Sequence, residues 1–256
     1  MNEHIDMKIS GSSTMPGGEY GRVSISGAGR VNGSLKCEEL HCSGAASVQG
    51  DVDCAGELHT SGAGKVAGSV RCGSLTASGA FSAQSVQVEA LASVSGSLRT
   101  ERALTADELR ASGSLEAGSV HCRALRSSGS CRVNGDVEAE TVVLSGAAEI
   151  GGLLNAETVE ISANRAVHIS AIGGGTIRVL QKDTATVLGI FHTSPGCARI
   201  GSIEGDNIEL ENVEAEIVRG KYVRIGHGCR IGTVEFGENL EAEPGTVGHS
   251  TQTGTK

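Results

Sequence analysis

Apolar positions recur along this chain with a step of about 17 residues, from Val23 to Ser162. One column reads Leu35, Val52, Val70, Val86, Leu104, Val120, Val137 and Leu154. A second, a few positions on, reads Leu40, Leu58, Leu75, Leu91, Leu109, Leu125, Val142 and Val159. Two positions after each member of the first column stands a small apolar residue: Cys37, Cys54, Cys72, Val88, Ala106, Cys122, Ala139 or Ala156. Positions i and i+2 share one face of a strand, and Lys36, Asp53, Arg71 and Glu138 lie between them. The alternation therefore predicts short, half-buried strands. A fixed period of this size, with no helical pattern inside it, predicts a chain wound into a β-solenoid.

The corners follow the same period. Ser-Gly pairs stand at Ser26-Gly27, Ser43-Gly44, Ser61-Gly62, Ser78-Gly79, Ser95-Gly96, Ser112-Gly113, Ser128-Gly129 and Ser145-Gly146. They are expected to supply backbone angles that other residues resist. A second glycine column (Gly33, Gly50, Gly68, Gly118, Gly135, Gly152) precedes the first strand of each turn. Beyond residue 163 the register loosens, although Thr176–Leu180, Thr184–Phe191, Ile208–Glu211, Tyr222–Ile225 and Val234–Phe236 still read as strand. The expected organisation is a flexible tail over 1–20, a regular β-helix over 21–172, less regular turns or a cap over 173–247, and a flexible tail over 248–256. Gly173-Gly174-Gly175 is the expected break.

Composition narrows the class. With 38 glycines, no tryptophan, two tyrosines and three phenylalanines, the core must come from Val, Leu, Ile, Ala and Cys. Such side chains fill a narrow tube better than a broad interior. The net charge of −9 argues against nucleic acid as the main partner. No apolar run is long enough to span a membrane, and the start Met1-Asn2-Glu3-His4-Ile5-Asp6 lacks the basic-then-apolar order of a secretory signal. A soluble, cytoplasmic protein is expected.

Eight cysteines raise the question of metal or disulfide. Cys37, Cys54, Cys72 and Cys122 share a column with valine and alanine, which marks a small buried apolar slot. No Cys-x-x-Cys occurs, so no metal is expected, and stacked free thiols suit a reducing compartment. The stretch from Val223 to Gly232 resembles the hexapeptide repeat of left-handed β-helix acyltransferases, in which His227 would be the general base. Only two such hexads are present, so the simpler reading makes Gly226 and Gly232 corners and His227 a solvent-facing residue. Glu38 with Glu39, Glu138 with Glu140 and Glu214 with Glu216 read as the wet face of strands. There is no phosphate loop and no dinucleotide fingerprint. No catalytic residue, cofactor or enzyme activity is therefore expected.

The segment Val133-Asn134-Gly135-Asp136-Val137-Glu138-Ala139-Glu140-Thr141-Val142-Val143-Leu144-Ser145-Gly146 and its neighbour Ile150 to Val159 resemble the bactofilins, bacterial polymer-forming cytoskeletal proteins. Val31-Asn32-Gly33-Ser34-Leu35 and Val48-Gln49-Gly50-Asp51-Val52 carry the same likeness. The resemblance implies a right-handed parallel β-helix whose copies join end to end without nucleotide. It also implies scaffolding roles in cell shape, motility or the positioning of other proteins, often at the inner face of the membrane. Partners would be the chain itself, a paralogue or client proteins. A solenoid leaves unpaired backbone at its terminal rungs, so Val23 and Ile25 in the first turn and Val234 and Phe236 in the last are the candidate joining residues. A monomeric solenoid that binds a partner on one face is the other non-enzymatic reading.

Overall fold

In the computed structural model of the protein, residues 5–162, 166–180 and 197–253 are described. They contain 22 strands and no helix. The chain divides into two compact units, Met1–Ala124 and Leu125–Lys256. Unit 1 holds β1 (Met7–Ile9), β2 (Ser12–Ile25), β3 (Ala28–Cys42), β4 (Ala45–Val48), β5 (Val52–Thr60), β6 (Ala63–Val66) and β7 (Ser69–Ala77). It continues with β8 (Ala80–Ala83), β9 (Ser85–Val88), β10 (Leu91–Val94), β11 (Ser97–Thr100), β12 (Ala103–Ala111) and β13 (Ser114–Ala117), and β14 (Ser119–Ser127) straddles the division. Unit 2 holds β15 (Ser130–Val133), β16 (Val137–Leu144), β17 (Ala147–Ser162), β18 (Val167–Leu180), β19 (Ala198–Leu210), β20 (Val213–Ile225), β21 (Arg230–Ala242) and β22 (Val247–Gln252).

Each strand pairs in parallel with the strand one turn on, which is the β-solenoid the sequence period predicts. In unit 1, Leu35 pairs with Val52, Val52 with Val70, and Val70 with Val86. Leu40, Leu58 and Leu75 stack in the same way on a second face. There the column continues through Ala92 to Leu109, so Leu91 gives up its expected place: the strand alternates with Ala92 and Val94 inward, and Leu91 is half-exposed. A third face runs Ala28, Ala45, Ala63, Ala80, Ser97, Ser114. Its inward residues include Gly64, Phe81, Leu98 and Leu115, whose sizes differ too much to show as a column. Phe81 fills room that Gly64 leaves, since a Cβ on Gly64 would meet the Phe81 ring at 2.7 Å.

The corner glycines are fixed by close approach, and not by unusual backbone angles as the sequence suggests. A Cβ on Gly44, Gly62, Gly79, Gly96 or Gly113 would fall on the carbonyl oxygen of the corner glycine one rung earlier. None of these has a positive φ. In the second glycine column the following residue has its own task. The Asp51 carboxylate accepts the Ser69 N–H at 2.8 Å, and the Asp136 carboxylate accepts the Leu153 N–H at 2.8 Å. Each satisfies a backbone donor in the next rung, which gives the Gly-Asp pair its physical reason.

Three organisational expectations change. Residues 7–20, expected in a loose tail, lie largely in β1 and β2, and β22 occupies 247–252. Gly173-Gly174-Gly175 is no break but the middle of β18, paired with β17 on one side and β19 on the other. A Cβ on Gly174 would fall on the Ala156 carbonyl oxygen, so glycine is what lets the rungs close there. The interruption comes later: the step from Val167 to its partner Ala198 is twice the ordinary one, whereas Ala198 finds Val213 a single turn on. The strand expected over Thr184–Phe191 lies outside the described residues.

Candidate functional site

Of the four candidate joining residues, three are enclosed and Phe236 is half-buried. Val23 and Ile25 are buried in β2, with Met7 and Ile9 of β1 on one side and Leu40 and Cys42 of β3 on the other. Val234 is buried between Val218 and Ser250, and Phe236, half-buried, pairs with Gly220 and Gln252. The repeat pattern ends one rung short in each unit because β1 offers only Met-Lys-Ile and β22 carries almost no apolar signal. Neither is long enough to register as a period.

The outermost described rung of unit 1 is β1 with the first half of β2. Gly21 donates its N–H to the Ile5 carbonyl at 3.1 Å, and Arg22 donates its N–H to the Asp6 carboxylate at 2.8 Å. Three inner columns stay apolar up to this rung, with Met7 on Val23, Ile9 on Ile25 and Met15 on Val31, whereas the Leu35 column ends on the exposed Gly18. Ile9 and Met15 are 6% and 8% exposed, and Ile5 beside them is 80% exposed. Among the described residues, the register of β1 is with β2, Met7 on Val23 to Ile9 on Ile25, which leaves its other backbone edge open.

The last described rung of unit 2 is β22 with Asn239–Ala242 at the end of β21. Here Phe236, Leu240 and Val247 are half-buried, and Gly248 to Gln252 are exposed. Among the described residues, the register of β22 is with β21, Ile231 on Val247 to Phe236 on Gln252. The two outermost rungs thus share open backbone edges but differ in what they present: mainly apolar side chains in unit 1, mainly polar ones in unit 2.

Outward charges pair from rung to rung. Arg22 meets Glu39 at 2.7 Å, Lys36 meets Glu19 at 3.0 Å, Arg132 meets Glu149 at 2.7 Å and Arg219 meets Glu235 at 2.8 Å. Such exposed pairs are screened by solvent and add little to stability; they mainly keep like charges from stacking. An open groove of about 720 Å³ lies on the third face of unit 1, floored by Ala28, Ala45, Ala63 and Ala80 and edged by Arg30, Lys65 and Arg99.

The chemistry of the remaining candidates is quiet. Cys37, Cys54 and Cys72 stack in register, all free and buried. Cys37 is pushed well up by its hydrogen bond to Cys54 and then by burial, and burial pushes Cys72 up to about 12. Cys37 and Cys72 are thus held neutral, and a neutral thiol is neither a nucleophile nor a ready metal ligand, while the hydrogen bond from Cys37 draws Cys54 down. Among the described residues, no three His, Cys, Asp or Glu side chains converge to hold a metal ion. His227 is exposed, with its Nδ1 4.0 Å from Glu211. Around it the rungs step from Leu210 to Ile225 and from Glu214 to Arg230, and neither advance is a whole number of hexads. No helix among the described residues is long and apolar enough to cross a membrane.

A 77-residue stretch is 40% identical to the uncharacterized protein YhbF of Bacillus subtilis (strain 168), covering 30% of this chain and 31% of that protein. No solved structure matches. Of the segments that resemble bactofilins, Val31 to Leu35 and Val48 to Val52 fall within a family match, and 133–159 fall beyond it. That match takes in β1 to most of β8: residues 2–82 fit the bactofilin family, described as polymer-forming cytoskeletal.

Proposed function

We propose that this chain is a cytoskeletal scaffold that joins copies of itself end to end, without nucleotide, through its outermost rungs. The observation that carries the reading is the rung formed by β1 and the start of β2. Among the described residues its backbone edge is open, and three apolar columns run out to Met7, Ile9 and Met15, with Ile5 exposed in the same rung. An edge of that kind is a template for another chain. The family match over the same residues supports it. The joining residues are then Ile5, Met7 and Met15 in unit 1 and Phe236 and Leu240 in unit 2, in place of the enclosed Val23, Ile25 and Val234. Scaffolding of cell shape, motility or client proteins in the cytoplasm, including at the inner face of the membrane, is the role proposed with it.

Negative-stain microscopy and light scattering of the purified chain without nucleotide test the reading. Filaments or sheets are expected, and Ile5→Lys with Met7→Lys is expected to raise the concentration needed for assembly by about tenfold or more. A clean monomer at every concentration overturns it. A trimer whose acyl transfer is lost in His227→Ala would replace it with the hexapeptide enzyme.

A further inference from the structure

Resting on that reading, we propose that β22 is a displaceable cap over the last rung of unit 2, and that a second copy of this chain takes its place when it leaves. Six rungs of one inner column of unit 2 are aliphatic: Val137, Leu154, Ile172, Ile203, Val218 and Val234. The seventh is Ser250. The same strand sets Gln252 on Phe236. A polar residue in an inward column is what a terminal repeat needs if it is to face water and stop the stack.

β22 is also weakly held. Each of β15 to β21 buries two or more side chains, whereas β22 buries none: Val247 is half-buried and the rest are exposed. It is tied by backbone bonds along β21, in register from Ile231 on Val247 to Phe236 on Gln252, and by Gln252 Nε2 to the Gly237 carbonyl at 3.2 Å. Just beyond it the Thr253 N–H donates to the Phe236 carbonyl at 2.8 Å. Backbone bonds alone roughly offset the entropy of ordering the residues that make them, so a strand with no buried side chain lies near balance. A hinge stands at its root. Pro244 and Gly245 (φ 81°) form a turn closed by the Thr246 N–H to the Glu243 carbonyl at 3.2 Å. The buried Thr246, whose hydroxyl also donates to that carbonyl at 2.6 Å, anchors the turn while the strand beyond it swings.

What β22 covers is apolar. Lifting it opens the backbone edge from Ile231 to Phe236 and uncovers Val234 and more of Phe236, next to the half-buried Leu240. A second copy offering an apolar rung would pair the same edge and bury side chains that β22 cannot. The occupant is therefore another copy of this chain, competing with the chain's own strand.

The test uses the full chain in two opposed forms. Ser250→Pro with Thr251→Pro removes N–H donors in β22 and releases it. Thr233→Cys with His249→Cys joins in-register partners, whose Cα spacing of about 4.8 Å suits a disulfide, and locks it. Light scattering against concentration is the readout, with circular dichroism to show that the released form keeps its fold. The released form is expected to assemble at about tenfold lower concentration than the parent, and the oxidised locked form at about tenfold higher, returning to the parent value on reduction. Equal assembly of the oxidised and reduced forms overturns the cap while leaving end-to-end joining intact. If the parent, released and reduced forms all stay monomeric, joining itself fails, and the cap with it.

Discussion

Ser127 carries a buried hydroxyl with no hydrogen-bond partner among the described residues, at an inward position of β14. A buried polar atom left unpaired costs the desolvation of that atom, and removing it returns that cost. Ser127→Ala is therefore expected to stabilise unit 2 by about 1 kcal/mol, read as a higher urea midpoint with unchanged slope. The thiols act at the other end of the pH scale. Burial pushes Cys72 and Cys131 up to about 12, against an ordinary thiol near 8.5 in the unfolded chain. Between those values the unfolded state has released protons that the folded state still holds. Stability is thus full below about pH 8.5 and falls as pH rises toward 12, by roughly 2 kcal/mol or more per thiol. Cys72→Val should flatten part of that fall in urea titrations from pH 8 to 11, because Val88 already fills the equivalent slot one rung on. An unchanged slope would mean that Cys72 ionises freely in the fold.

The corner ladder is a property of elements, since each glycine matters only through the rung before it. A Cβ on Gly79 would fall on the Gly62 carbonyl oxygen, so Gly79→Ala must push two rungs apart. A loss of about 1–3 kcal/mol is expected, whereas Gly11→Ala, which meets nothing within 4 Å, should change stability little. Thermal unfolding of the two variants side by side checks this. The same contrast explains what was legible in the chain. Columns such as Leu35 to Val52 to Val70 repeat one side-chain type in one slot, so the period and the parallel pairing could be read directly. The Ser-Gly corners were equally visible, but a sequence does not distinguish a glycine needed for its angles from one needed because a carbonyl sits where its Cβ would be. The third face escaped because Gly64 and Phe81 fill neighbouring slots by complementing each other in size, which erases any column. β1 and β22 escaped for the opposite reasons of length and polarity, and in consequence the enclosed Val23, Ile25 and Val234 stood out as end residues.

At the scale of the whole molecule, charge and apolar edges pull assembly in different directions. The chain carries a net charge of −9, and outward cations lean on carboxylates of neighbouring rungs, such as Arg22 on Glu39 and Arg219 on Glu235. Cations engaged in this way do little to attract another copy, so two copies meet as like-charged bodies. The rung that would join them is held by Met7, Ile9 and Met15, whose association does not depend on charge. Screening shortens the reach of the repulsion from about 10 Å at 0.1 M salt to about 3 Å at 1 M, while leaving apolar burial intact. Raising sodium chloride across that range is therefore expected to lower the concentration at which scattering rises, several-fold and without a lag that depends on nucleotide. The opposite outcome is equally informative. Polymers that disperse as salt rises would be held by charge pairs between copies, and the joining surface would then have to be sought along the ladders of Arg and Glu on the faces of the solenoid instead of at its outermost rungs.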